Sequence, residues 1–136
     1  MKYKNKLVHL SDCPPKDDKY LYDIAYRFVF SPITQDSFIP QGIKSPSRIS
    51  NANNNEEKCS LLALSMFISE ESAVQRFNQL MKNHKNIKKS LGTHLAKGFI
   101  LATDGLQYKA NSMGHFDFHE CSNANLVSQF SIVKEL

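Results

Sequence analysis

The residues of this chain best suited to chemistry lie together in Gly114-His115-Phe116-Asp117-Phe118-His119-Glu120-Cys121. Written as an extended strand, the segment alternates without a break. His115, Asp117, His119 and Cys121 fall on one face, and Phe116, Phe118 and Glu120 on the other. Two imidazoles, a carboxylate and a thiol in one row can bind a metal ion or move protons.

Each use makes its own geometric demand. Alternate strand residues stand about 6.5–7 Å apart, within reach of one ion, whereas His115 and His119 are about 13 Å apart and cannot share one. Asp117 with either histidine, or His119 with Cys121, could do so if a third ligand such as His94 or His9 arrived from elsewhere. No Cys-x-x-Cys or His-Glu-x-x-His frame supplies it. The strand therefore reads as a polar edge strand with hydrogen-bonded histidines, and no metal is expected. Nucleophilic use of Cys59 or Cys121, activated by His119 or His115, has no local signature either, and small buried cysteines are common core residues. The five scattered glycines form no phosphate cradle.

Composition bounds the function. The 136 residues suit one domain, and 41% hydrophobic with 22% charged residues is ordinary for a soluble globular chain. No run of about 18 apolar residues occurs, so no membrane span is expected, and no apolar segment follows the basic Met1–Leu7 stretch to make a signal sequence. Cys13, Cys59 and Cys121 are odd in number and far apart, which reads as thiols of a reducing compartment and a cytoplasmic protein. The net charge is +4. Its densest run, Lys82–Lys89, has no interleaved aromatic side chains to stack on bases, so it reads as a solvated helix end and not a nucleic-acid surface.

The elements that must position these residues read as an α+β domain spanning 1–136. Residues 1–19, with Pro14-Pro15 and Asp17-Asp18, read as a polar arm. Tyr22–Phe30 is β-branched and aromatic and predicts a strand ending at Ser31-Pro32. Asp36–Ile43 predicts a short helix or irregular segment. The Ser/Asn-rich stretch 45–58 predicts a mobile loop, and Ser60–Phe67 a buried strand. Ser69 is a candidate N-cap with Glu70 and Glu71 in the first turn, and Ala73, Val74, Phe77, Leu80 and Met81 recur at helical spacing. An amphipathic helix over 70–83 is therefore expected to lie on the sheet. Further strands are expected within 92–102, in 106–109 pairing back across Asp104-Gly105, at 114–121, and near 130–133. Together they make a mixed, twisted sheet.

Several short landmarks carry a resemblance. The Tyr26-Arg27 strand, Asp36-Ser37-Phe38 after a proline, and Cys59 leading into Leu64-Ser65-Met66-Phe67 come first. Gly98-Phe99-Ile100, His115 and Phe130-Ser131-Ile132-Val133 follow. Over residues 24–133 these resemble a family of small bacterial proteins with no assigned activity. The order of elements is also similar to that of ADP-ribosyltransferase and RES-type NAD-cleaving folds. These carry a key Arg or His on the first strand, a Ser or Tyr ending a strand before a helix, and a late acidic residue.

That second similarity implies Arg27, then Ser65 or Ser69, then Glu120. Arg27 would hold a pyrophosphate, Ser65 would orient the nicotinamide ribose, His115 or His119 would assist, and Glu120 would stabilise the developing positive charge. The implied cofactor or substrate is NAD. The alternative is a non-enzymatic module that docks a protein partner through an apolar patch or the 45–58 loop. An enzyme should gather Arg27, Ser65 and Glu120, or the His115/His119 face, around one pocket.

Overall fold

A computed structural model describes residues 1–14 and 21–136. Among these described residues, six strands form one sheet: β1 (Ile24–Val29), β2 (Leu64–Phe67), β3 (His94–Phe99), β4 (Gly105–Gln107), β5 (His115–Glu120) and β6 (Phe130–Glu135). Their order across the sheet is β4-β5-β2-β1-β3-β6. The α+β class stands, but all five pairings are antiparallel, so the sheet is not mixed. The helical elements are α1 (Lys4–Leu7), a 3-10 turn (Gln35–Phe38), α2 (Gln41–Lys44), α3 (Pro46–Ser50), α4 (Asn55–Leu61), α5 (Glu70–Asn83), α6 (Ile87–Ser90) and α7 (Leu126–Gln129). Among the described residues, no helix is long and apolar enough to cross a membrane.

The alternation read in the sequence assigns the two faces. Ala25, Val29, Leu64, Met66, Ala96, Phe116 and Phe118 project to one side, where Phe38 and Leu126 close over them. Phe28, Phe67 and Leu95 project to the other, against Ala73 and Phe77 of α5. The α5 helix spans 70–83 as expected, and the Ser69 side chain caps it by accepting from the backbone N–H of Ser72. Burying its apolar stripe supplies what a lone 14-residue helix lacks in water. A third cluster, Leu7, Cys13, Cys59 and Leu62, joins the N-terminal segment to α4.

Several expectations are corrected. The 45–58 stretch is not a loop but holds α3 and the first four residues of α4. Pro46 is compatible with a helix start, and Asn54 caps α4 by accepting from Glu57 N–H. The strand expected from Ser60 begins only at Leu64, because Ser60 and Leu61 complete α4. The segment after Asp104-Gly105 does not pair back on β3. It crosses to the opposite edge and pairs with β5. Asp104 drives that departure: its carboxylate accepts from Leu101 N–H and from the Gln129 side chain. β5 is consequently an interior strand, not an edge.

The arm expected at 1–19 is docked where it is described. Leu7 is buried and Lys2 N–H donates to Glu120 O. Asp17-Asp18 and the rest of 15–20 lie outside the described residues. The three-thiol reading also falls, since Cys13 and Cys59 form a disulfide and only Cys121 is free. One of the two grounds for a cytoplasmic location goes with it.

Candidate functional site

The site begins with a fault in the sheet. β1 is registered with β3 over six residue pairs, from Ile24–Phe99 to Val29–His94, but with β2 at one pair only, Tyr26 with Phe67. Beyond that pair the two strands part, and backbone groups there lose their ladder partners. Arg27 fills the breach: Nε donates to Ser37 O and Nη1 to Ser65 O, both at 2.9 Å. Its guanidinium is buried, and loss of solvent pushes its pKa down to about 10, which still leaves it charged at neutral pH.

A cavity of about 160 Å³ opens at this point. Arg27, Lys44, Ser60, Ser65, His115 and Asp117 are on its wall. Ser65 projects to the α5 side of the sheet, like Phe67, and meets the odd-numbered residues of β5. The Ser65 hydroxyl is hydrogen-bonded to His115 Nε2, and Asp117 Oδ1 lies 3.9 Å from the same nitrogen. Loss of solvent lowers the His115 pKa, Asp117 raises it by a smaller amount, and Arg76 lowers it. The ring is therefore neutral near pH 7 and can accept a proton. Burial raises the Asp117 pKa, while a hydrogen bond from Ser60 and the nearby His115 pull it down. Lys44 also lines the cavity, and burial and the neighbouring Arg27 charge lower its pKa, against the pull of Asp36. Two cations thus stand near one serine–imidazole pair.

A larger groove of about 890 Å³ lies outside it, lined by Asp12, Glu56, Glu57, Tyr108 and Lys109 among others. Ser60, His115 and Asp117 are common to both walls, so these three side chains form the partition between a basic inner cavity and a more acidic outer groove.

Of the residues singled out in the sequence, Arg27, Ser65 and His115 converge. His119 and Glu120 do not line this cavity. Glu120 lies on the Phe116/Phe118 face, where Lys2 Nζ reaches it at 3.2 Å. Burial raises the pKa of Glu120, and Lys2 lowers it by less. His119 is buried beside the disulfide, with Nε2 3.5 Å from Cys59 Sγ and its ring edge-on to Tyr108. Desolvation drives its pKa down to about 4. Ser69, the other serine implied by the resemblance, is spent on capping α5. Sequence reasoning missed Lys44 and Ser60, whose places depend on how α2 and α4 pack. It noticed Asp117 as a metal ligand or proton carrier on the polar face, not as the neighbour of Ser65 and His115.

Comparison with known proteins returns no match to a family model, to a curated protein or to a solved structure.

Proposed function

We propose that the chain is an enzyme that binds a phosphate-bearing nucleotide, NAD⁺ being the first candidate, and cleaves its nicotinamide–ribose bond. The observation that carries this reading is the convergence of Arg27, Lys44, Ser65, His115 and Asp117 on one cavity wall. Arg27 holds the cavity wall through Ser37 O and Ser65 O, and Lys44 beside it is the cation offered to phosphate oxygens. Nicotinamide leaves NAD⁺ as a neutral molecule, so the leaving group needs no acid. What the reaction requires is a negative charge beside the oxocarbenium-like ribose and a base for the incoming hydroxyl.

Asp117 supplies that charge in place of Glu120. His115 supplies the base. As it takes up a proton, the imidazolium that forms is stabilised by Asp117, 3.9 Å away. Ser65, already bonded to the ring, orients a ribose hydroxyl. The inner cavity is too small for a whole dinucleotide, and the adjoining groove supplies the remaining room.

The test is the melting temperature with and without millimolar NAD⁺, followed by an assay of nicotinamide release. A ligand at ten times its dissociation constant adds about 1.4 kcal/mol, a shift of a few degrees for a domain of this size. A shift that Lys44→Ala abolishes, together with nicotinamide release that His115→Ala abolishes, supports the reading. No shift and no release sink it. A second reading, a module that docks a protein partner, draws on the edge strand β6, where Ile132 and Val133 are exposed. An added strand on that edge would pair with its free backbone groups. A mixed-state oligomer broken by Val133→Lys would favour it.

A further inference from the structure

The side chains around the disulfide form a group that the proposed reaction does not use. Cys13 Sγ, Cys59 Sγ and one ring nitrogen of His119 all lie within 4.8 Å of one another. They come from three different places: the connection after α1, the helix α4, and the interior strand β5. His119 is 1% exposed, and its Nδ1 is the only buried side-chain nitrogen or oxygen without a hydrogen-bond partner among the described residues. Its Nε2 faces Cys59 Sγ, which as a disulfide sulfur is at best a weak acceptor. The disulfide sulfur thus gives Nε2 no strong partner, which a buried polar ring normally finds.

We propose that, once the Cys13–Cys59 bond is reduced, the two thiolates and His119 Nε2 hold one Zn²⁺ ion, with the fourth coordination position facing the outer groove. Reduction by a dithiol breaks the S–S bond. Two electrons and two protons pass from the dithiol, which closes into its own disulfide, and two thiols remain. Zn²⁺ then displaces both thiol protons.

The distances suit that ion. Zinc takes sulfur at about 2.3 Å and nitrogen at about 2.0–2.1 Å, which sets sulfur and nitrogen of a tetrahedral site roughly 3.5 Å apart. Nε2 and Cys59 Sγ are 3.5 Å apart already. Only Cys13 must withdraw, to about 3.7 Å between sulfurs for the same tetrahedral geometry. It belongs to no helix or strand, so a side-chain rotation with a small backbone shift achieves this.

Three protein ligands and one open position is the pattern of an exchangeable zinc site. Cys59 lines the groove, which gives the open position access to water or to a ligand there. Tyr108 closes the site at one side, its hydroxyl 3.4 Å from Cys59 Sγ while donating to Asp12 O.

The test is a Co²⁺ titration of the full chain, reduced with a phosphine, because tetrahedral cobalt–thiolate sites are strongly coloured. Reduced wild-type protein should take up one equivalent, with intense visible ligand-field bands and a near-ultraviolet thiolate-to-cobalt band. Oxidised protein should show neither. Cys59→Ser should abolish the bands, and His119→Gln should weaken binding by more than the roughly 10–100-fold that outer-sphere losses cost. Cys121→Ser should leave binding intact. Because reduction could cost the fold, circular dichroism is recorded throughout, and Zn²⁺ should raise the melting temperature of reduced wild type but not of reduced Cys59→Ser. The proposal is overturned if the reduced, metal-treated chain shows no tetrahedral bands and no thermal shift. It is also overturned if the bands survive His119→Gln at unchanged affinity or depend on Cys121.

Discussion

Ser65 and His115 are hydrogen-bonded across a diagonal of the β2–β5 pair: Ser65 is registered with Asp117, and His115 with Phe67. The diagonal brings the serine hydroxyl to the imidazole while Asp117 sits opposite the serine itself. One register step in either direction would turn the three to opposite faces. Ser65→Ala is therefore expected to cost the fold only about 1 kcal/mol, a typical hydrogen bond, yet to lower nicotinamide release by roughly 10²–10⁴-fold together with His115→Ala. Thermal melts and a single-turnover assay on both variants check this. Full activity in both would remove the pair from the mechanism.

Arg27 and Lys44 should separate in their effects. Arg27 holds two buried carbonyls, so Arg27→Met should lose about 2–4 kcal/mol of stability and a correspondingly large part of the melting temperature. Among the described residues Lys44 makes no such bonds, and Lys44→Ala should melt within about a degree or two of wild type while losing nucleotide binding. Calorimetric titration of both variants with NAD⁺ and ADP-ribose distinguishes the architectural cation from the binding one.

The two carboxylates of β5 should also part company. Asp117→Asn should suppress the reaction. Glu120→Gln should leave it at the wild-type rate, because Glu120 lies on the opposite face and is occupied by Lys2. The reverse ranking in initial-rate measurements would return the catalytic carboxylate to Glu120.

The pH dependence of stability has a sign set by His119. Its pKa is about 4 in the folded chain, against an ordinary 6.5, so between those values the unfolded chain binds more protons. Stability is full above about pH 6.5 and falls toward pH 4, by up to about 3 kcal/mol from this group. Asp117 and Glu120, with pKa values raised by burial, slope the other way in the acid range. Urea midpoints for wild type and His119→Phe at several pH values isolate this histidine: the variant should show a smaller fall between pH 6.5 and 4, with His115, which burial also lowers, keeping its own part.

The Cys13–Cys59 bridge closes 46 residues of sequence separation, and chain-entropy reasoning gives it about 4 kcal/mol. The Cys13→Ser/Cys59→Ser double variant should melt many degrees lower, with the loosening concentrated in α1 and α4. Hydrogen exchange resolved by residue would read that directly. Protection unchanged in those two helices would show that the Leu7/Leu62 cluster holds them without the bond.

Local pattern made some of this legible and long-range packing concealed the rest. Helix 70–83 carries its own cap, first-turn acids and 3.6-residue stripe, so it could be read without knowing its partner. β5 announced itself by strict alternation, and β1 by its β-branched and aromatic run. Ser60–Phe67 is opaque, because a short, mainly apolar run buried without a break from Leu62 to Leu64 lacks the periodicity that separates the end of α4 from β2. The Ser/Asn-rich 45–58 stretch hid two helices behind a polar composition, although Pro46 and Asn54 were the start signals.

The sequence by itself determined that His115, Asp117 and His119 share a face, since the two-residue period of a strand permits nothing else. It also determined that Glu120 stands with Phe116 and Phe118. Tertiary structure alone decided what those faces meet. The parting of β1 from β2, the placing of Arg27 and Lys44 beside Ser65, and the pairing of Cys13 with Cys59 next to His119 all join residues far apart in the chain. Such contacts are set by how helices and strands pack against one another, which no local period records.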